Sequence, residues 1–389
     1  MMSGYNMTGN NSDSTKQKQF MKWKFPAFRF PTHRQKLSIG VIGAGAWGTA
    51  IAKVLTENGH DVVIWAREQE VADSINIKHM NSTFLPDVLL PDGLTATTNM
   101  VEAAQNRNML FLAVPSPFLL SLVKDLFVVP DIRDGNTLIA VVTKGFIESP
   151  RGIKLIIDSL EDYLPGFYRG NLVYVSGPSH AEEVSRKKVT GLIAASINGR
   201  NAIRVREALA NKYLLVYPSL DVIGVQVCGA VKNVIAIAFG MLDALKETSD
   251  HFGDNTESLL LAAGLNEIQM LGQVLGATHP ETFTSIAGVG DLDVTCRSIH
   301  GRNRRFGRDI IQKHVLTSFT NLDDLLANIQ RLGYFPEGAV AAQYVYRIAK
   351  KFKVNLPICF GVYKILNQDI KPEDFIENYI TDLTRAKAQ

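Results

Sequence analysis

Between Leu37 and Tyr217 the chain alternates short β-rich apolar runs with helical patterns, and few folds accommodate that rhythm. The runs are Leu37–Ile42, Val62–Trp65, Met109–Val114, Thr137–Thr143, Leu172–Val175, Gly191–Ala195 and Tyr213–Tyr217. Strands separated by helices argue βαβ units and a parallel sheet. After about Pro218 the texture changes to long apolar-periodic segments punctuated by Gly and Pro. A helical second half is expected there. Residues 1–36 are rich in Asn, Ser, Lys and Gln and then aromatic-basic, and are expected to be a disordered extension.

One loop gives the first half its chemistry. Gly43-Ala44-Gly45-Ala46-Trp47-Gly48 follows the first expected strand and opens a helical pattern, Thr49 to Asn58. That is the context a dinucleotide-binding fingerprint requires. Gly43 permits the tight turn, Gly45 lets backbone approach a pyrophosphate, and Gly48 lets helix and strand pack closely. The helix N-terminus faces the anion. Without this setting the same glycines would be only a tight turn. The fold expected is therefore a Rossmann-type doubly wound sheet over residues 37–218, with an all-helical domain over 219–389.

The second strand ends Ile64-Trp65-Ala66-Arg67. A site for NAD would usually place Asp or Glu here to accept from ribose hydroxyls. Arg67 instead suits a 2′-phosphate, so NADP is favoured over NAD, unless Arg67 is simply solvated near Glu68 and Glu70.

Other candidates lie at strand ends, where ligands gather in open α/β sheets. They are Val114-Pro115-Ser116, Thr143-Lys144-Gly145 and Ser176-Gly177-Pro178-Ser179-His180. Lys144 can reach a cleft from there, although most lysines are surface residues. His180 is either a proton-transfer group or a cap for a helix over Ala181–Ser185.

Lys232 is the most informative single residue. It sits inside the apolar stretch Gly224–Phe239, and Lys is almost never fully buried unless paired or functional. Proton transfer is the functional reading, and a stem that snorkels past the core edge is the plain one. The longer stretch Val222–Leu242 is apolar enough to suggest a membrane span, but Lys232 and Asn233 would lie at mid-bilayer. A core helix is the better reading, and no integral membrane segment is expected.

Further on come Gly290-Asp291, with Asp291 a partner for a buried Lys, and Gly301-Arg302-Asn303-Arg304-Arg305, whose forked donors suit a phosphate. Net charge excludes little by itself. Of the total of +3, residues 1–36 contribute +6, so the remainder carries −3, which gives no reason to expect nucleic acid. Three widely spaced cysteines, Cys228, Cys296 and Cys359, fit neither a disulfide framework nor a thiolate metal site. A reducing, cytoplasmic setting is expected, with no metal.

In this order the motifs resemble the soluble, bacterial-type NAD(P)-dependent glycerol-3-phosphate dehydrogenase family. The resemblance rests on Gly43–Ala50, Phe84-Leu85-Pro86, Val114-Pro115-Ser116, Thr143-Lys144-Gly145 and Ser176–Glu183. It continues through Ala230–Val234, Phe252–Asn255, Gly290-Asp291-Leu292, Arg302–Gly307, Pro336-Glu337-Gly338 and Leu356-Pro357. It implies that Lys232 exchanges the proton of the substrate's secondary hydroxyl, and that Lys144 and Asp291 line the reacting centre. Trp47, Arg67, Lys144, Ala181, Arg302 and Glu337 would contact the cofactor. Gly177, Ser179, Arg302 and Asn303 would contact a phosphorylated three-carbon substrate. The family usually has Ser where this chain has Gly301, and the first 36 residues have no counterpart in it.

The reading is an oxidoreductase that makes glycerol 3-phosphate for phospholipid synthesis, working as a homodimer. Two rivals stand beside it: a small hydroxy-acid dehydrogenase of the same plan, and a dinucleotide-binding sensor without turnover. Residues 16–36, seven Lys or Arg interleaved with aromatics, add weak contact with an anionic membrane surface as a further expectation.

Overall fold

A computed structural model describes residues 35–298 and 301–375. The basic-aromatic extension and its membrane contact lie outside the described residues. Ten strands form: β1 (Ser38–Ile42), β2 (Asp61–Trp65), β3 (Leu94–Thr97), β4 (Met109–Leu112), β5 (Leu138–Val141), β6 (Phe146–Ser149), β7 (Gly152–Leu155), β8 (Val173–Ser176), β9 (Thr190–Ala195) and β10 (Leu214–Ser219). Eight of them make one sheet in the order β10-β9-β8-β5-β4-β1-β2-β3, while β6 and β7 pair as a separate antiparallel hairpin. The strand order reverses between β1 and β4, so the crevice where ligands gather opens at their C-terminal ends.

Three expectations need correction. The sheet is not wholly parallel, because β8 and β9 run antiparallel, which reverses β9 and β10 against the rest. The Ser176–Glu183 turn between them is a short return rather than a crossover. Strand β3 and the β6–β7 hairpin were not expected. Leu-Thr-Ala-Thr carries one large apolar side chain, too weak a pattern to register. The first helix begins at Ala46, not Thr49, because Gly45 already adopts the extended N-cap conformation.

Beyond β10 the described residues are helical. The central helix, Val222–Leu245, has nearly every side chain buried, and 94% of its most apolar window lies inside the protein. It is the axis on which Asp254–Leu275, Asp291–Arg297, Arg302–Gln312 and Glu337–Phe352 pack. Gly240 and Gly307 let two of these backbones nearly touch. A Cβ on Gly240 would sit 2.0 Å from the Arg304 carbonyl oxygen, and one on Gly307 2.1 Å from that of Ile237. Arg302 and Asn303, just upstream, are thereby held against the buried axis that carries Lys232.

Candidate active site

Two structures converge at the C-terminal edge of the sheet. The first is the glycine loop after β1. Gly43 has φ +117°, a conformation that L side chains rarely adopt. A Cβ on Gly48 would lie 1.9 Å from the Gly43 carbonyl oxygen, so the turn closes only with hydrogen there. At Gly45 a Cβ would meet nothing within 4 Å, which leaves that face of the loop open to a ligand. The helix Ala46–Glu57 that follows has neither a side-chain cap nor an acidic residue in its first turn. Its N–H groups and positive dipole end are therefore available to an anion. This loop fits a dinucleotide pyrophosphate. Asn81, which sequence reasoning missed, secures it by donating to the Ala44 carbonyl and to Thr49 Oγ1, both at 2.8 Å. A buried Asn far along the chain gives no local signal of that role.

Arg67 lies just past β2, exposed, donating to Glu68 at 2.8 Å. The plain reading of a solvated Arg and the functional one remain compatible. Trp47 packs against the core beside the loop. Ala181 opens the helix Ala181–Ser185. His180 holds the N-cap position of that helix, but its side chain makes no capping bond, so that expectation fails. Burial holds its imidazole below the usual range, with Lys232 adding to the effect.

The second structure is a buried charge cluster. Asp291 is wholly buried at the start of Asp291–Arg297, directly after a π turn over Ile286–Gly290. It accepts from both lysines singled out in the sequence. Lys144 Nζ reaches its Oδ2 at 2.8 Å, and Lys232 Nζ donates to its Oδ1. Lys144 also donates to the Gly177 carbonyl at 2.9 Å and to Ser179 Oγ at 3.1 Å. Gly177, at φ +132°, presents that carbonyl because a Cβ there would lie 2.9 Å from the Gly191 oxygen. Lys232 has a second acceptor in Thr295 Oγ1 at 2.8 Å, whose own proton goes to the Asp291 carbonyl. Thr295 stands one helical turn after Asp291; that spacing was the available signal for its role.

An ammonium has three N–H donors. The three of Lys144 are all engaged within the protein, whereas among the described residues only two of Lys232 are. Lys232 is thus the member with a donor to spare for a bound oxygen. The cluster carries one net positive charge, which favours an anionic guest. Burial pushes the Lys144 ammonium down to about 8; Asp291 opposes that shift and Lys232 reinforces it.

Asn303 and Arg302 border the same helix axis. Asn303 donates to Asn233 Oδ1 at 3.0 Å and accepts from the Gly338 N–H at 2.8 Å, so its amide ties three helices together beside Lys232. Arg302 is largely exposed, and among the described residues its fork has one loose contact, to Glu337 at 3.4 Å. Gly301 precedes it at the N-cap, where a Cβ would lie 3.1 Å from the Thr295 carbonyl oxygen.

Comparison with known proteins addresses the same two halves. The family model described as NAD-dependent glycerol-3-phosphate dehydrogenase N-terminus matches residues 38–202, and that for the C-terminus matches residues 221–377. A glycerol-3-phosphate dehydrogenase [NAD(P)+] of Treponema denticola is 58% identical over 353 residues, 89% of this chain and 99% of that protein. One from Enterococcus faecalis is 36% identical, over 86% of this chain and 92% of that one. The crystal structure of glycerol-3-phosphate dehydrogenase from Coxiella burnetii superposes with TM-score 0.76 at 30% identity, covering 89% of this chain and 99% of that one.

Proposed function

The chain belongs to the NAD-dependent glycerol-3-phosphate dehydrogenase family, and from that premise we propose how its own residues carry out the reaction. The reaction is reversible reduction of dihydroxyacetone phosphate to sn-glycerol 3-phosphate, with NADP favoured and NAD also accepted. The observation that carries the reading is the spare N–H of Lys232 in a buried, net positive cluster.

When bound, a nicotinamide cofactor supplies or takes up the hydride. Gly43, Gly45 and Gly48 would hold its pyrophosphate, with Ala46 and Trp47 beside them, and Arg67 would face the adenosine ribose. Lys144, Ala181, Arg302 and Glu337 would complete the contacts. In the reducing direction the substrate carbonyl oxygen gains charge. Lys232 stabilises that charge with its free donor and then passes a proton to it. Asp291 keeps Lys232 aimed. Lys144, Gly177 and Ser179 fix the floor of the site. Arg302, beside Gly301 and Asn303, grips the substrate phosphate, contributing binding energy remote from the reacting carbon. Residues 37–218 act as the cofactor domain and 219–389 as the substrate domain. The enzyme works as a cytoplasmic homodimer feeding phospholipid synthesis, with at most weak contact between residues 16–36 and an anionic membrane surface.

Steady-state oxidation of NADPH with dihydroxyacetone phosphate tests the reading. Turnover on the phosphorylated ketone and not on small keto acids is expected. Preference for a keto acid would favour the hydroxy-acid dehydrogenase, and NADPH binding without turnover would favour the sensor.

A further inference from the structure

The helix Asp291–Arg297 carries Asp291 and Thr295, and the helix Arg302–Gln312 follows it in the chain with Arg302 and Asn303 in its first turn. The scheme above needs Arg302 to stand at a fixed place relative to Lys232. Yet Arg302 is largely exposed and has only its loose contact with Glu337 among the described residues. A guanidinium held so lightly depends on its backbone for its aim. That backbone is tied down two residues further on, at Arg304.

All three nitrogens of the Arg304 guanidinium are engaged. Nε and Nη2 donate to Asp243 Oδ2 at 3.1 and 2.6 Å, and Nη1 donates to the Arg297 carbonyl at 2.9 Å. Asp243 stands on the central helix eleven residues after Lys232, roughly 16 Å along its axis. Arg297 ends the helix of Asp291, and its carbonyl is one of the last-turn acceptors that a helix leaves unpaired. One side chain thus joins the helix of Lys232, the end of the helix of Asp291 and the start of the helix of Arg302. Burial works against the Asp243 carboxylate, but hydrogen bonds from Arg308 and Arg304 hold it below the usual range. Arg308 supplies the contrast. Its Nη1 also donates to Asp243 Oδ2, at 2.7 Å, and its Nη2 to Glu247 at 2.6 Å. Among the described residues it makes no such bond to the Asp291–Arg297 helix.

We propose that Arg304 and Asp243 are positioning residues for the phosphate grip: by locking the helix of Arg302 to the helices of both Lys232 and Asp291, the pair fixes the span between the group that holds the substrate phosphate and the group that passes the proton. The inference rests on the proposed reduction of dihydroxyacetone phosphate. Asp243 stands too far along the helix from Lys232 to touch the reacting atoms, so the pair acts through Arg302. Loosening it lets Arg302 drift while Lys232 keeps its own bonds to Asp291 and Thr295. The loss therefore falls on phosphate recognition and not on proton transfer.

The test follows NADPH oxidation with dihydroxyacetone phosphate and with unphosphorylated dihydroxyacetone in the wild type, Arg304→Gln, Asp243→Asn, their double variant and Arg308→Gln. Without wild-type turnover on the phosphorylated ketone the proposed reaction falls, and this inference with it; given that turnover, the variants alone decide. Arg304→Gln and Asp243→Asn are each expected to raise KM for dihydroxyacetone phosphate about tenfold, the worth of part of one charge-assisted contact, with kcat within about threefold of normal. On the unphosphorylated ketone kcat/KM should hold, so the preference for phosphate drops by a similar factor. The double variant is expected to lose no more than the worse single one, because both break one link. Arg308→Gln should lower the thermal midpoint and leave KM in place. An equal rise of KM in Arg308→Gln, an equal loss on both ketones, or a normal KM in the folded Arg304 and Asp243 variants would overturn the proposal. Should Arg304→Gln fail to fold, Asp243→Asn, which keeps an acceptor of the same shape, carries the same decision.

Discussion

The two halves of this molecule build function from different atoms. In the sheet half the functional surface is mostly backbone: a turn that closes because Gly48 has no side chain, and helix N–H groups without a cap. In the helical half it is Lys232 against the Asp291 carboxylate, which Lys144 joins from the sheet half, buried where charges are costly. Backbone sites are written in glycine, and glycine is visible in a sequence. Charge clusters depend on which helices meet, and the sequence shows only one end of each contact.

The helical half should break hardest. Lys232→Ala removes the sole lysine of the pair with an unengaged donor, while Asp291 keeps Lys144 as a partner. Turnover is expected to fall at least about a hundredfold, the low end for acid–base catalysis, with cofactor affinity nearly unchanged. Near-normal kcat, measured by NADPH oxidation, would move the proton elsewhere.

The sheet half should break in the opposite pattern. Gly48→Ala puts a methyl 1.9 Å from the Gly43 carbonyl oxygen, so the turn must open. NADPH affinity, read by fluorescence titration, is expected to weaken by roughly tenfold or more, since each lost backbone donor to an anion is worth about 1.5–3 kcal/mol. The thermal midpoint should drop as well. A variant with normal affinity would show that the loop does not hold the pyrophosphate.

A milder change sharpens the contrast by altering cofactor choice alone. Arg67 is exposed, and among the described residues its one partner is Glu68, so Arg67→Asp costs little stability. It is expected to shift the NADPH/NADH ratio of kcat/KM toward NADH, roughly tenfold, by repelling a 2′-phosphate and accepting from a free hydroxyl. An unchanged ratio would leave Arg67 a solvated surface residue.

These differences explain what could be read in advance. The glycine loop, the strand-end motifs and the oddity of Lys232 in an apolar helix were legible because each departs from its own neighbourhood. Asp291 was legible only as a candidate partner. Thr295 and Asn81 were not, because a buried polar residue declares its role through contacts far along the chain: Asn81 reaches Thr49 across 32 positions, Lys232 reaches Thr295 across 63 and Lys144 reaches Asp291 across 147. The reversal at β9 was missed for a related reason. An apolar run tells that a strand is buried, but not which way it points.

Burial of a charge is not by itself a mark of chemistry, and Glu267 is the control that makes the comparison fair. It lies in the helix Asp254–Leu275, almost wholly buried, and accepts from the backbone N–H of Ile358 at 2.6 Å and of Cys359 at 3.0 Å. It therefore caps the helix Pro357–Leu366 from outside, a structural task. Burial raises its carboxyl from 4.5 to about 7, and the two N–H bonds pull the other way. The folded form thus holds a proton that the unfolded chain releases above its lower pKa. The stability this supplies is complete below about pH 4.5 and is lost as pH rises through 7. Glu267→Gln keeps an acceptor for the helix end and cannot ionise. Its thermal midpoint relative to the wild type should therefore rise steadily between pH 4.5 and 7, while kcat stays within about twofold of normal at each pH. Calorimetry across that range decides the first point and NADPH oxidation the second. A Gln variant that tracked the wild type in stability at every pH would mean that Glu267 does not titrate there. One that lost turnover would mean that this buried carboxyl, too, serves the site.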